Sequence, residues 1–390
     1  MAIKFFLNCN VYEISPYSSA LAMSDRPFHL LVAGASGVIG TAATEHFARL
    51  PEWRVTALSR RRPAVSDDIP FHHAAIDLLD AAACATLVDD APPVTHLVYA
   101  AVSEAPGLAS GWRDPQLIGE NGAMFANLLA PLARTGTLRH VSLLQGAKAY
   151  GAHVHPVAVP LREAEPRDPH ASFYWLHEDM LRATAATRGF AFTIFRPQIL
   201  LGWAPGGAMN PLAAIGAYAA LCRECKLPFT LPGESAALWE MVDAGLLAEA
   251  MDWAATAPAA VGETFNVTNG DVFVLRHAWP ELARRLGLND DGPAPSSFGS
   301  LFAAPESQSA WAAIADCHGL AEHSLTALLG QSDTYLDLLL APRIADKASP
   351  VLLSTVKLRQ AGFAACRDSL ESLVAQIERM VQLRLLPRFS

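Results

Sequence analysis

Apolar residues along this chain come in short continuous runs instead of alternating with polar ones. Segments 29–33, 54–59, 71–77, 96–101, 140–144 and 192–196 each read as a strand. Continuous runs indicate strands buried on both faces, as in a parallel sheet. Helical spacing takes over between them, most clearly at 121–134, where Met124, Leu128, Leu129 and Leu132 recur on one face. Alternation of this kind, with right-handed crossovers, predicts a doubly wound parallel α/β sheet.

Beyond Gly202 the punctuation changes. A loop at 203–207 precedes a largely apolar helix at 208–226 and a proline-bounded turn at 228–233. Segment 265–268 reads as a strand returning to the sheet, and the remainder is mainly helical. The last helix has the clearest stripe, Leu370, Leu373, Val374, Ile377, Met380 and Val381, with Asp368 and Ser369 as capping candidates. The expected organisation is an N-terminal extension at 1–26, with Met23 a more natural beginning; a dinucleotide-binding domain at 27–202 with a returning segment near 239–270; and a smaller, mainly helical substrate-binding and capping region at 203–390.

Composition narrows the classes. A chain of 390 residues that is 52% hydrophobic can bury a large core. Its formal net charge of −9, with no run of five or more like charges, lacks the basic footprint of a nucleic-acid binder. No apolar stretch reaches the roughly 20 residues of a membrane span, and the N-terminus lacks a proper signal peptide. Six scattered cysteines fit reduced thiols in a cytoplasmic protein. Cys222 and Cys225 have zinc-like spacing, but a structural zinc needs four ligands and there is no second pair, so no metal site is expected.

The segment after the first strand carries chemistry. Gly34, Ser36, Gly37, Val38, Ile39 and Gly40 form a glycine-rich turn that opens a helix, the arrangement that lets backbone amides cradle a pyrophosphate. At the end of the second strand, where a carboxylate would bind the ribose diol of NAD, the chain offers Ser59, Arg60, Arg61 and Arg62. Guanidinium groups grip a 2′-phosphate that an acid would repel. NADPH is therefore the expected cofactor. Asp77 and Leu78 are candidate adenine contacts; Ala100, Ala101, Gln145, Pro197 and Ile199 are further candidate cofactor contacts.

Reductases with such a turn usually carry Tyr-x-x-x-Lys on a later helix. Here Tyr174 is present, but Glu178 stands at the lysine position, and a lysine occurs earlier as Lys148, just after the fifth strand. A neutral phenol suits hydrogen-bond donation to an oxygen that gains negative charge. A cation at about 4 Å would sharpen that donor by roughly 4 kcal/mol at an effective dielectric near 20. Tyr174, also a cofactor contact, and Lys148 are the candidate catalytic pair. Glu178 and Asp179 read as helix-dipole acids.

Gly146 to Gly151 (Gly-Ala-Lys-Ala-Tyr-Gly) and Ser172 to Asp179 (Ser-Phe-Tyr-Trp-Leu-His-Glu-Asp) resemble the two signature segments of the progesterone 5β-reductase and iridoid synthase-like branch of short-chain dehydrogenases/reductases. The resemblance extends through Glu120-Asn121, Asn127-Leu128-Leu129, Phe265 to Gly270 and Leu386-Pro387. It implies NADPH-dependent 1,4-reduction of an enone or related carbonyl substrate, with Tyr174 holding the developing enolate, Lys148 supporting it and solvent protonating the α-carbon. Trp175, Ala149, Gln145 and Ser172 depart from the family pattern. The family's pocket aromatics map onto Val102 and His153, which with Met209 are the candidate substrate contacts. Carbonyl reduction and sugar-nucleotide epimerase or dehydratase chemistry on the same fold are the alternatives, and Glu178 argues against them. A non-catalytic NADPH sensor is a third reading, for which the Tyr174 and Lys148 pair has no use. The natural substrate and the oligomeric state stay open, with a homodimer as one candidate.

Overall fold

The computed structural model describes residues 26–104, 111–233, 236–340 and 350–389. The N-terminal extension up to residue 25 and part of the loop after Glu104 lie outside these residues.

Seven parallel strands form the central sheet: β1 (Phe28–Ala33), β2 (Trp53–Leu58), β3 (His72–Ala74), β4 (His96–Tyr99), β5 (His140–Leu144), β6 (Ala191–Pro197) and, after three short strands, β10 (Thr264–Val267). Their order is β10-β6-β5-β4-β1-β2-β3, so the chain reverses direction across the sheet between β1 and β4. Such a switch opens a crevice at the carboxyl ends of the strands. β3 is shorter than the apolar run predicts because it is an edge strand, paired only with β2; Asp77 lies beyond it in a turn, where its Oδ1 accepts from the Leu79 amide at 3.0 Å.

Helices cover both faces of the sheet. On one side α2 (Ala81–Asp90), α3 (Pro115–Arg134) and α4 (Phe173–Arg188) pack around Cys84, Phe125, Leu128 and Leu181. On the other, α1 (Val38–Arg49) packs on α6 (Ala244–Thr256) through Phe47, Leu246 and Met251. α3 starts earlier than its apolar spacing suggests, because Asp114 caps it with Pro115 in the first turn.

The third core lies beyond the sheet. α5 (Leu212–Cys225) is buried at every position from Leu212 to Cys222, as a helix that is apolar all round must be. It begins after Pro211 because proline disfavours a helical residue before it, and Asn210 accepts from the Leu212 amide at 2.9 Å. Around it pack α7 (Leu275–Arg285), α8 (Phe298–Ala303), α9 (Pro305–His318), α10 (Leu325–Leu329), α11 (Ser332–Leu340) and α13 (Ser369–Gln382). α13 is capped by Asp368, which accepts from the Glu371 amide. Cys222 is buried in α5 and Cys225 is exposed.

Small strands join this layer to the sheet. β7 (Ile199–Leu201) pairs with β9 (Met241–Asp243), and β8 (Leu238–Trp239) with β11 (Phe273–Val274). α12 (Val356–Gln360) packs beside β10.

Candidate active site

The glycine turn is set by close packing. Gly34 has φ +80°, and a Cβ there would lie 2.6 Å from the backbone of Ala101. A Cβ at Gly40 would approach the Gly34 carbonyl to 2.1 Å. Only glycine fits at either position. Gly37 starts α1 without a side-chain cap, leaving the amides of the first turn, including Val38 and Ile39, to meet an anion. Ser36 lies in the same turn. This is the environment a dinucleotide pyrophosphate requires, so the residues present fit that group.

At the end of β2, Ser59 is buried and its hydroxyl donates to the Arg61 carbonyl at 2.6 Å. Arg60 and Arg61 are exposed, and Arg61 donates to the Pro205 carbonyl at 3.1 Å. Arg62 stacks on Phe71. Leu78 is held by Asn127, which donates to its carbonyl at 2.9 Å. Ala100 and Ala101 follow β4 beside Gly34.

Ser172 caps α4 by accepting from the Tyr174 amide at 3.2 Å, fixing the tyrosine in the first turn. The phenol lies over Gly146, where a Cβ would sit 3.3 Å from its hydroxyl and 3.5 Å from the Pro197 carbonyl. Burial pushes its pKa up, helped by Glu104 and Tyr335 and opposed by Arg196, so the hydroxyl stays protonated. Lys148, two residues after Gly146, enters from the short turn that follows β5. Its ammonium lies 4.1 Å from the Trp112 ring centroid and 3.2 Å from the Met209 sulfur. Burial pushes the Lys148 pKa down to about 8, against the charge of Glu104. No hydrogen bond joins Lys148 to Tyr174 among the described residues.

Glu178 is not a helix-dipole acid: it lies beyond the first turn of α4, which contains no acid. It is buried and accepts from Gln145 at 3.1 Å and Arg182 at 2.9 Å, with Arg167 and Arg196 at 3.4 and 3.8 Å. Burial raises its pKa, but these hydrogen bonds and charges outweigh it and hold the carboxylate down. Gln145 accepts in turn from Arg196 at 2.8 Å. The side chain of Gln145 thus belongs to a network behind Tyr174. Asp179 is exposed and paired with Arg167 at 2.7 Å. Ile199 is buried at the start of β7.

Val102 is 43% exposed, while His153 is partly buried. Burial, then the charges of His170, Lys148 and Arg113, push His153 down to about 4, so it is neutral at pH 7. Glu104, Trp112, His170 and Tyr335 were not selected by sequence reasoning, because each becomes significant only through neighbours from other elements. Asn121 positions the Glu104 segment, accepting from the Ser103 amide at 2.8 Å and donating to its carbonyl at 3.0 Å. Burial raises the Glu104 pKa against Lys148, and one carboxyl oxygen is buried without a hydrogen-bond partner. A cavity of about 530 Å³ lined by Arg26, Arg54 and Arg139 lies elsewhere, beside the residues that precede β1, β4 and β5. Among the described residues no cluster of His, Cys, Asp or Glu is placed to hold a metal ion, and no helix is long and apolar enough to cross a membrane.

The sheet, its glycine turn and the tyrosine beside the β5 end define a nucleotide-binding α/β protein of the extended short-chain type. Residues 30–268 match the NAD dependent epimerase/dehydratase family, and the chain belongs to it. Within it, the chain is 28% identical over 380 residues to (S)-8-oxocitronellyl enol synthase of Antirrhinum majus, covering 92% of each chain. It is 30% identical over 285 residues to 3-oxo-Delta(4,5)-steroid 5-beta-reductase of Arabidopsis thaliana, covering 67% of this chain and 70% of that one. The resemblance read from the signature segments therefore holds. Solved structures share the fold: the Bordetella bronchiseptica enzyme WbmH in complex with NAD+ aligns with TM-score 0.62 at 17% identity, over 91% of this chain and 99% of that one. UDP-glucose 4-epimerase of Thermotoga maritima aligns with TM-score 0.63 at 15% identity, with the same coverages.

Proposed function

We propose that the protein is an NADPH-dependent reductase of the C=C bond of α,β-unsaturated carbonyl compounds. The observation that carries this reading is the exchange of roles between Glu178 and Lys148. Glu178, at the usual lysine position, is buried in a network with Gln145 and three arginines, so it has no free cation-like role beside the cofactor. The ammonium comes from Lys148 instead, two residues beyond the glycine over which the Tyr174 hydroxyl lies. The relatives named as an enol synthase and a steroid 5-beta-reductase support the same chemistry.

The first-turn amides of α1 would hold the pyrophosphate, and Arg60 and Arg61 the 2′-phosphate. NADPH when bound supplies the hydride, which goes to the substrate's β-carbon. Negative charge then develops on the carbonyl oxygen. Tyr174, kept protonated by burial, donates a hydrogen bond to that oxygen. Lys148, charged below about pH 8, supplies a stabilising field. Solvent protonates the α-carbon to release the saturated product. The region after residue 203 contributes Met209, from the loop before α5, and Tyr335, from α11, to the pocket. A cytosolic location fits the free thiols of Cys84, Cys222, Cys225, Cys317 and Cys366.

Tyr174→Phe tests the reading. Enone reduction should fall by roughly 10²-fold or more, the scale of losing one oxyanion donor, while NADPH binding survives. The product should be the saturated ketone or aldehyde. An allylic alcohol as product, or parental turnover by the variant, would overturn the assignment.

A further inference from the structure

Three adjoining aromatic side chains next to Lys148 each carry a buried ring nitrogen with no hydrogen-bond partner: Trp112 Nε1, His153 Nδ1 and His170 Nε2. They are contiguous. The Trp112 and His153 ring centroids are 5.8 Å apart, and those of His153 and His170 are 4.8 Å apart. The series runs on from the catalytic lysine, because the Lys148 ammonium sits over the Trp112 ring. Buried polar groups are normally satisfied, and each that is not calls for an explanation. Three in one place, bordering the proposed reaction centre, indicate a wall built to meet polar atoms of a ligand.

The chemistry of the three nitrogens selects the ligand. The Trp112 indole can only donate. His170 Nδ1 lies 2.6 Å from Asp168 Oδ1, and its side chain is only 9% exposed. That contact engages Nδ1 with Asp168 and leaves Nε2 as the ring nitrogen without a partner. Neutral His153 accepts or donates according to tautomer. The wall therefore offers the Trp112 donor beside neutral His153, which can accept. A carboxylate can only accept, and an ammonium would meet the Trp112 N–H and the Lys148 charge. A hydroxyl group, which donates and accepts at once, suits both.

We propose that Trp112, His153 and His170 form a hydroxyl-recognition subsite beside Lys148, so that the preferred enone carries a hydroxyl group remote from its carbonyl. This rests on the enone-reductase reading for the other end of the substrate. His153 stands where the family resemblance places a pocket-facing aromatic residue, so a difference in pocket polarity from the family is expected there. The hydrogen bonds are absent in the unhydroxylated analogue, and leaving a polar site unpaired is a strong source of discrimination.

The test uses linear 2-enals of increasing chain length, each with and without a terminal hydroxyl, assayed by NADPH oxidation with the full-length protein. At one chain length, kcat/KM for the hydroxylated compound should exceed that for its deoxy partner by at least about tenfold. Trp112→Phe, which keeps a ring face for Lys148, and His153→Leu should each bring that ratio toward one. Equal kcat/KM for every matched pair in the parent protein would overturn the subsite. Binding of the saturated aldehydes to the NADP complex, followed by calorimetry, is independent of turnover. Tighter binding of the hydroxylated member supports the subsite, and equal binding of the pair overturns it. Loss of reduction with both series while that binding preference persists would refute the enone reading and keep the hydroxyl site.

Discussion

Lys148→Met should inactivate the reductase and stabilise the protein at the same time. The ammonium is largely withdrawn from water, and burial takes its pKa from the ordinary 10.5 to about 8. While the group is charged, that shift corresponds to roughly 3 kcal/mol of destabilisation of the folded state. The Trp112 face, 4.1 Å away, favours the charged form and returns about 1–2 kcal/mol in a desolvated setting. The net gain on replacement by methionine is then about 1–2 kcal/mol at neutral pH. The sign follows from proton binding. Between about pH 8 and 10.5 the unfolded chain holds the Lys148 proton and the folded protein does not, so parental stability rises with pH across that window. The variant lacks this contribution, and its advantage should be full below about pH 8 and gone near 10.5. Urea denaturation of both proteins at matched pH values measures the difference. The parental kcat should fall about tenfold per pH unit above about 8, as the supporting charge is lost. A variant less stable than the parent at neutral pH, or a stability difference that does not change with pH, would refute the reasoning. Glu104, Trp112, Met209 and His153 face the same group, so Glu104→Gln provides a control: it removes the charge that raises the Lys148 pKa and should move the kcat profile to lower pH.

Two further predictions concern the cofactor and the network behind the tyrosine. Replacing Arg60 and Arg61 together by alanine should abolish an NADPH over NADH preference of at least about tenfold, worth about 1.4 kcal/mol, in direct binding measurements; equal parental affinities for the two cofactors would sink the 2′-phosphate assignment. Glu178→Ala removes the acceptor for Gln145 and three arginines, one of them, Arg196, buried. It should cost about 3–5 kcal/mol in denaturant unfolding, and unchanged stability would show that these groups find other partners.

The order of strands and helices was legible in the sequence because it rests on local rules. A doubly buried strand is predominantly apolar, so the main sheet runs could be placed, and the 140–144 run coincides with β5 even though His140 and Ser142 are buried within it. The glycine turn was legible for the same reason: positions that admit no Cβ announce themselves as glycine. Arg60, Arg61, Tyr174 and Lys148 were selected by their places relative to strand ends, which follow from that order.

Tertiary structure decided what a one-dimensional pattern cannot encode. Glu178 looked like a helix-dipole acid in the sequence, and became a buried hub only because Gln145, Arg167 and Arg196 converge on it from other elements. Trp112, His170 and Tyr335 carry no local signal, since their importance lies in partners from separate segments. The polarity of the pocket is likewise a property of assembly. Side-chain types set what each nitrogen or carboxyl can do, but burial decides whether it must be paired, and burial depends on long-range packing of the layers.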